Sequence, residues 1–540
     1  MKTPTISTLI FFLSLVFSWS CASSAGANVD GFLECLKQEF QNYSSISNLV
    51  YTPINSSFQS VLDFSIRNLR FMSDPNPKPQ VIITPEYEDQ IPPIIYCAKH
   101  NGLQIRTRSG GHDFEGLSYV SEVAFVIIDL LNLSEVTVDV QQKTAWLGAG
   151  ATTGMLYYHI ATRSPRLAFP AGIGLTVGVG GHFSGGGYGV LLRKYGMAVD
   201  HIIDARIVDV NGNILDRKLM GEDLFWAIRG GGGSSFGVIV AWKVGLVEVP
   251  ETVTVFTIPR DLEQNATQLI HRWQDIAPTI DQDLFLRIIA RRNTSADGKM
   301  TIRLLFHSVF LGGVDRLLAL MQKEFPELGL VRDDCNEMSW IQAILYSTGL
   351  PIDSLEPLLD RFQHDVIYFK GKSDYVQEPI PINGFEGVWK LMFEPYGKQV
   401  EIKFTPHGGK MAEIPESAIA FPHRAGNLYM VHYMVYWETD QAQDEDKYIS
   451  WIRKLYDYVT PYVSKNPRTT FLCYRDLDIG VNNNEGVVPI ETARVWGEKY
   501  FVNNFNQLVQ VKTRIDPGNF FREEQSIPPL IPRWTGKEDI

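Results

Sequence analysis

Short runs rich in valine and isoleucine recur through the first half of the chain. They are Val81 to Thr84, Ile105 to Arg108, Phe125 to Asp129, Ala145 to Ala149 and Ile203 to Val210, each bounded by Gly, Asp or Asn. Apolar runs this short, flanked by turn formers, predict strands. Helical patterns lie between them, such as Tyr87 to His100 and Thr152 to Thr162. After Glu251 the texture changes to paired long strands, Phe285 to Arg291 then Met300 to Phe310, with amphipathic helices such as Val314 to Glu324. That pattern predicts a sheet covered by helices. The last stretch reads as polar turns with a proline-rich tail returning to the first domain. The fold class expected is α+β, divided as a leader (1–25), an N-terminal segment (26–76), a first domain (77–250), a second domain (251–460) and a C-terminal segment (461–540). With 540 residues and 45% hydrophobic content, the chain can fill more than one core.

The leader is set apart by Lys2, an apolar run from Leu9 to Phe17 and small residues from Ser20 to Ala27, the pattern of a signal peptide cleaved near Ala25. Export to the secretory pathway, apoplast or vacuole, makes disulfides durable. Beyond the leader stand Cys35, Cys97, Cys335 and Cys473, of which Cys35 with Cys97 is the preferred pair among three connectivities. Asn-x-Ser/Thr triplets at Asn42, Asn55, Asn132, Asn265 and Asn293 are candidate glycan sites. A formal net charge of -12 without a long basic run argues against nucleic acid as a partner. No metal-ligand spacing is present, and no other apolar stretch is long enough to span a membrane.

Three glycine-rich stretches carry the chemistry. In Arg108-Ser109-Gly110-Gly111-His112-Asp113, a predicted strand ends in residues that bare successive backbone N–H groups, a nest suited to a pyrophosphate. Pro170 to Gly189 packs nine glycines into twenty residues, interleaved with Val, Phe and Tyr, so the backbone must approach something closely. A flat ring with a diphosphate tail is such a ligand. The third cluster, Arg229 to Ile239, follows Asp223-Leu-Phe-Trp-Ala. None of the three matches G-x-G-x-x-G opening a helix, or a P-loop.

These stretches, with Tyr474-Arg-Asp-Leu-Asp-Ile-Gly and the closing Asp516-Pro-Gly-Asn519-Phe-Phe-Arg, resemble the plant berberine bridge enzyme-like family, which includes reticuline oxidase and the cannabinoid acid synthases. The resemblance runs over nearly the whole chain after the leader. It implies the vanillyl-alcohol-oxidase-type fold: a PCMH-type FAD-binding domain of two subdomains over 77–250, and a substrate domain of antiparallel sheet covered by helices over 251–460. A berberine-bridge-type segment over 461–540 then returns to the FAD domain. It implies FAD bonded covalently at its 8α-methyl carbon to His112. The implied cofactor contacts are Arg108, Ser109, Gly110, Gly111, Asp113, Ser118 and Tyr119 in the first stretch; Gly174, Val177, Gly178, Gly181, His182, Ser184, Gly185, Gly187 and Tyr188 in the second; and Gly237, Ile239 and Asn519 beyond. Most members add a second link through a cysteine where this chain has Gly174, so a single link is expected here. Val177 stands where the family carries its oxygen-gating residue, and its small size resembles the oxidases, with O2 as acceptor.

Tyr474 is the candidate base, activated by a nearby cation, Arg475 or a lysine; a core tyrosine is the alternative. The family's Asn before it is Cys473 here, and Met430 stands where reticuline and cannabinoid enzymes place a glutamate. By strand alternation Met430, His432 and Met434 share one face, which makes His432 a second candidate or else a surface histidine. Arg287, Arg291 and Arg292 are candidates for binding a phenolate or carboxylate, or form a solvated edge. The resulting expectation is an FAD-dependent oxidase of a hydrophobic phenolic, prenylated or alkaloid-like secondary metabolite. The alternatives are a flavin-containing Diels-Alderase without net redox chemistry and a carbohydrate or monolignol oxidoreductase.

Overall fold

The computed structural model describes residues 27–40, 46–72, 77–295, 297–361, 366–482 and 488–530. The expected leader, the triplet at Asn42 and residues 531–540 lie outside them. The first sheet has the strand order Val50–Tyr51, Val81–Ile83, Phe125–Asp129, Gln104–Arg108. Its last three strands are parallel, with the helix Ile91–His100 joining two of them. Val81–Ile83 and Phe125–Asp129 are buried throughout, which explains their unbroken apolar sequence. A second, antiparallel sheet runs Val136–Asp139, Thr144–Gly148, Val238–Gly245, Ile202–Val208, Ile214–Leu215.

The third sheet has seven antiparallel strands: Cys335–Met338, Val253–Asp261, Met300–Phe310, Leu284–Thr294, Val400–Pro406, Tyr429–Trp437 and Tyr368–Val376. Alternation along these strands separates packing from chemistry. Leu284, Leu286, Ile288 and Ala290 join a core with Tyr429, Val431, Tyr433 and Val435. That core is covered by the helices Ala266–Ile276, Val314–Glu324, Ile382–Met392 and Glu445–Val459. Phe285, Arg287, Ile289 and Arg291 point the other way, toward the first two sheets. The fold is therefore α+β, with a helix-covered antiparallel sheet set against the glycine-rich part of the chain.

The C-terminal segment departs from its reading as turns. It holds two helices, Ile490–Phe501 and Phe505–Ile515. Ala493, Trp496, Gly497, Tyr500 and Phe501 are buried, the spacing of one helical face. The segment is tied to the third glycine cluster by Lys512, whose Nζ donates to Ser235 O (2.7 Å), Phe521 O (2.6 Å) and Asp516 Oδ2 (2.7 Å).

Cys35 and Cys97 form a disulfide joining the helix Val29–Glu39 to Ile91–His100, while Cys335 and Cys473 are free thiols. Asn55, Asn132 and Asn265 are exposed and Asn293 is half-buried. Among the described residues, no helix is long and apolar enough to cross a membrane, and no group of three His, Cys, Asp or Glu is placed to hold a metal.

A buried ion network joins the three parts. Lys370, on the seven-stranded sheet, pairs with Glu115 beside the His112 loop and with Asp476 Oδ1 at 2.8 Å. Lys372 reaches Asp476 Oδ2 and Asp478 Oδ2, each at 2.7 Å. Burial works against the charge on Lys370, but Glu115 and Asp476 outweigh it and hold its pKa up. Removing one member strands the others in low dielectric. Lys370→Met is expected to cost about 3 kcal/mol or more and to lower the thermal midpoint clearly; a melting curve matching the wild type would show that the network is not stabilising.

Candidate active site

The glycine stretches meet backbone to backbone. A Cβ on Gly110 would lie 2.3 Å from Gly178 N, and one on Gly178 would lie 2.1 Å from Ser109 Oγ. Ser109 Oγ donates to Ala149 O at 2.6 Å and accepts from Gly180 N at 3.3 Å, locking the two loops together. The third cluster is held by Ser184 O, which accepts from Gly230 N and Gly232 N. Gly111 has φ +70°, and a Cβ there would run into Ser65 O at 1.7 Å, so the turn that presents His112 requires glycine.

The loops form one end of a cavity of about 990 Å³. On its wall lie Ser109, Gly110, Gly111, His112, Asp113 and Ser118; Gly174, Val177, Gly178, Gly181, His182, Ser184, Gly185 and Tyr188; and Gly237 and Ile239. Four of the residues expected at the cofactor lie off the wall. Arg108 is fully buried behind it, donating to Asp129 Oδ2 (2.7 and 3.0 Å) and to the carbonyls of Val61 and Leu62 (2.7 Å each), so it anchors the strand end. Tyr119 packs edge-on against Phe71 in a separate small core. Gly187 backs the His182 ring, where a Cβ would sit 2.9 Å away. Asn519 holds a left-handed turn (φ +51°) whose carbonyl accepts from Arg522.

The cradle fits a flavin dinucleotide. A Cβ on Gly181 would meet nothing within 4 Å, so this glycine opens onto free space, whereas Gly110 and Gly178 permit a close backbone approach. The backbone N–H groups of Gly110, Gly111 and His112 have no protein acceptor among the described residues, which leaves donors for a diphosphate. His112 Nε2 lies 2.9 Å from Thr176 Oγ1. Burial, and then the charge of Arg67, lower the His112 pKa to about 3, so the imidazole is neutral and nucleophilic. His182 is likewise held near 4 by burial, with Nε2 accepting from Gly172 N at 2.9 Å. A Cβ on Gly174 would meet only a Val177 methyl, at 2.9 Å.

The other end of the cavity belongs to the seven-stranded sheet and the turn carrying Tyr474. The Tyr474 ring stacks on His432 (centroids 3.6 Å, interplanar 4°) and faces Phe114 at 5.3 Å. Its hydroxyl shares a short hydrogen bond with that of Tyr188. Burial raises the pKa of both phenols; the Tyr188 charge adds to the rise at Tyr474, whereas Arg287 opposes it at each. Arg475, expected as the activating cation, does not fill that role: its guanidinium pairs with Asp113 (2.9 Å) and Glu523 (2.7 Å). Arg287, on the same cavity wall, is the cation whose charge acts on both hydroxyls. His432 is buried, its pKa pushed well below 6.5 by burial and then by Lys403, and neither ring nitrogen has a hydrogen-bond partner among the described residues.

Arg291 is half-exposed and held by Glu401, with Nε 2.5 Å from Oε2. Arg292 bonds to Glu394 O. Met430 is buried in the main core and not on the wall, unlike Met434 and Tyr436. Burial pushes the Cys473 thiol up to about 12, so it is protonated. Sequence reasoning missed Thr176, Phe114, Glu401 and Lys403. The alternation Glu401, Lys403, Thr405 was a readable period-two signal for a strand face.

Comparison with known proteins agrees with this geometry. Residues 79–217 match the model of an FAD binding domain, and residues 470–528 match the "Berberine and berberine like" model. The chain is 51% identical over 522 residues to tetrahydroberberine oxidase from Berberis wilsoniae, covering 96% of this chain and 97% of that one. It is 49% identical over 532 residues to cannabidiolic acid synthase-like 1 from Cannabis sativa, covering 97% and 96%. The solved structure of BBE-like #28 from Arabidopsis thaliana superposes with a TM-score of 0.87 at 46% identity, over 93% of this chain and 100% of that one. With a glycine cradle fitted to FAD and relatives matched along nearly its full length, the chain belongs to the berberine bridge enzyme-like family of FAD-linked oxidoreductases.

Proposed function

We propose that this protein is a secreted oxidase of a hydrophobic plant secondary metabolite, phenolic, prenylated or alkaloid-like, with FAD held covalently through His112 alone. The observation that carries the reading is the Tyr474–Tyr188 hydroxyl pair, set beside Arg287 at the end of the cavity facing the glycine cradle. Bound FAD supplies the acceptor for a hydride. The protein must then take up the proton that leaves the substrate. Tyr474 is placed to receive it, and Tyr188 to share the resulting charge through the short hydrogen bond, opposite the positive guanidinium of Arg287. His432, flat against Tyr474, fixes the ring plane.

His112 is neutral and has Thr176 against its Nε2, as covalent attachment of a flavin methyl carbon requires. Gly174 offers no thiol for a second link. Val177, small and on the wall, supports O2 as acceptor. The disulfide and the exposed triplets at Asn55, Asn132 and Asn265 support export. The change from the strand Val247–Glu248 to Val253–Asp261 of the seven-stranded sheet supports a division at about 250. Phe285, Ile289, Met434 and Tyr436 on the substrate side favour an apolar substrate over a sugar. No observation favours cyclisation over oxidation.

Four measurements test the reading. Anaerobic mixing with a panel of prenylated phenols, dienes and alkaloid precursors is expected to bleach the flavin and give a product two hydrogens lighter; an unbleached flavin with additive product mass would instead mean cyclisation. His112→Ala is expected to release all its flavin on denaturation, whereas flavin left on the chain would refute the single link. Tyr474→Phe should slow flavin reduction by about 10²- to 10⁴-fold with flavin content unchanged. Because burial holds both phenols protonated, the wild-type reduction rate should climb with pH and reach no plateau below pH 10; a pH-independent rate would remove the tyrosine pair from the proton path.

A further inference from the structure

Among the described residues, the buried cations are matched by carboxylates or backbone carbonyls, and half-buried Arg287 is the contrast. Arg108 has Asp129, Arg424 has Asp200, Lys512 has Asp516, and Arg193 donates to five backbone carbonyls. Arg287 breaks the pattern. It lies mid-strand on the central strand Leu284–Thr294 with its side chain in the cavity wall, and its Nε is buried without a hydrogen-bond partner. Among the described residues no carboxylate forms an ion pair with it.

The carboxylate whose field it feels, Glu401, is already shared. Glu401 Oε2 binds Arg291, and Oε1 lies 2.6 Å from Lys403 Nζ. On the face that the seven-stranded sheet turns to the cavity, Arg287, Arg291 and Lys403 are three cations against the one carboxylate of Glu401, in a protein whose formal net charge is -12. The neighbouring histidines add no charge. His307, opposite Arg287 on the adjacent strand, is held down to about 3 by burial and by Arg287 itself, and His432 is held well below 6.5 by burial and Lys403. Positive charge in excess of its counter-charge, set among Phe285, Ile289 and Met434, is costly until an anion arrives. A guanidinium is also the group that matches a carboxylate in two parallel hydrogen bonds.

We propose that the substrate is a hydrophobic organic acid, whose carboxylate is anchored by Arg287 with Lys403 as the second cation, while its apolar body lies on Phe285, Ile289 and Met434. The proposal rests on the reading of this cavity as the site of oxidation and names the class of molecule it takes. Arg287 is thereby a specificity-determining residue as well as the cation beside the hydroxyl pair. Arg291 contributes less, because it is half-exposed and two of its nitrogens already meet Glu401, whereas Lys403 is more buried and gives Glu401 a single contact.

The test is a binding titration on the oxidised holoenzyme, followed through perturbation of the flavin absorbance, so that no turnover is needed. The probes are 2-naphthoate and 4-phenylbutyrate, each against its own methyl ester. The acid is expected to bind about tenfold or more tightly than the ester, as for a hydrogen-bonded buried charge pair. In Arg287→Met that preference should vanish, in Arg287→Lys it should survive in part, and in Lys403→Met it should shrink. Flavin content and melting curves identify any variant that has failed to fold, and the wild-type acid-to-ester ratio stands regardless of them. Equal binding of acid and ester by the wild type, including binding of neither at millimolar concentration, overturns the proposal, as does a preference that persists in Arg287→Met. A role limited to tuning Tyr474 would alter the rate of flavin reduction and leave the acid-to-ester ratio alone. Acid preference without bleaching by any acid substrate would retain the binding class and sink the oxidase reading.

Discussion

The structure depends on two loops approaching at a distance that no side chain allows. Gly110 and Gly178 face each other so closely that a Cβ on either would overlap the other's backbone nitrogen. That contact brings the His112 turn against the strand-to-helix loop near Gly174, and Ser109 locks it through Ala149 and Gly180. Glycine is entropically expensive to order, at roughly a kilocalorie per residue relative to alanine in regular structure. The return is a narrow cradle with unused N–H groups on one side and a neutral nucleophilic imidazole at its rim.

From that contact the rest is positioned by charge and strand alternation. Glu115, immediately beyond the His112 loop, meets Lys370 of the seven-stranded sheet, and Asp476, two residues after Tyr474, meets Lys370 and Lys372. The same short network therefore sets the Tyr474 turn relative to the cofactor loop. A buried network with every member paired is stiff, whereas one missing partner is strongly destabilising. Against that background Arg287, which forms no ion pair with a carboxylate among the described residues, stands out. The alternation that buries Leu286 and Ile288 is what turns Arg287 toward the cavity.

Burial also decides protonation. Five histidines, His112, His182, His307, His407 and His423, have pKa values lowered to between about 3 and about 4, chiefly by desolvation. Each is neutral in the folded protein. Below the unfolded-state value near 6.5 the unfolded chain binds protons that the native state refuses, so the stability they contribute is lost as pH falls from there toward 4. The same desolvation keeps Tyr188 and Tyr474 as phenols, which is why a cation beside them matters to the proton path.

Much of this was legible along the chain, for a physical reason: local periodicity and the need for glycine are properties of a residue and its neighbours. Five strands of the first two sheets, the helix Val314–Glu324, the hairpin of Leu284–Thr294 with Met300–Phe310, the glycine loops around His112 and the strand face carrying His432 follow from spacing and composition, whereas Val50–Tyr51, Val136–Asp139, Ile214–Leu215 and Val238–Gly245 escape that reading. The two C-terminal helices had the right period as well, with Trp496 and Tyr500 four apart, but surrounding polar turns masked it. What the sequence could not decide is which distant residues meet. Tyr188 and Tyr474 are 286 positions apart, and their hydrogen bond exists because the tail folds back onto the second glycine stretch. Arg475 adjoins Tyr474 in sequence, yet its charge is consumed by Asp113 and Glu523. Arg287 and Arg291 share one face of one strand, and only the position of Glu401 on the next strand separates a paired surface arginine from an unpaired one at the cavity. Local pattern assigns a side chain to a face; its charge state and its partner are set by whatever tertiary packing brings opposite it.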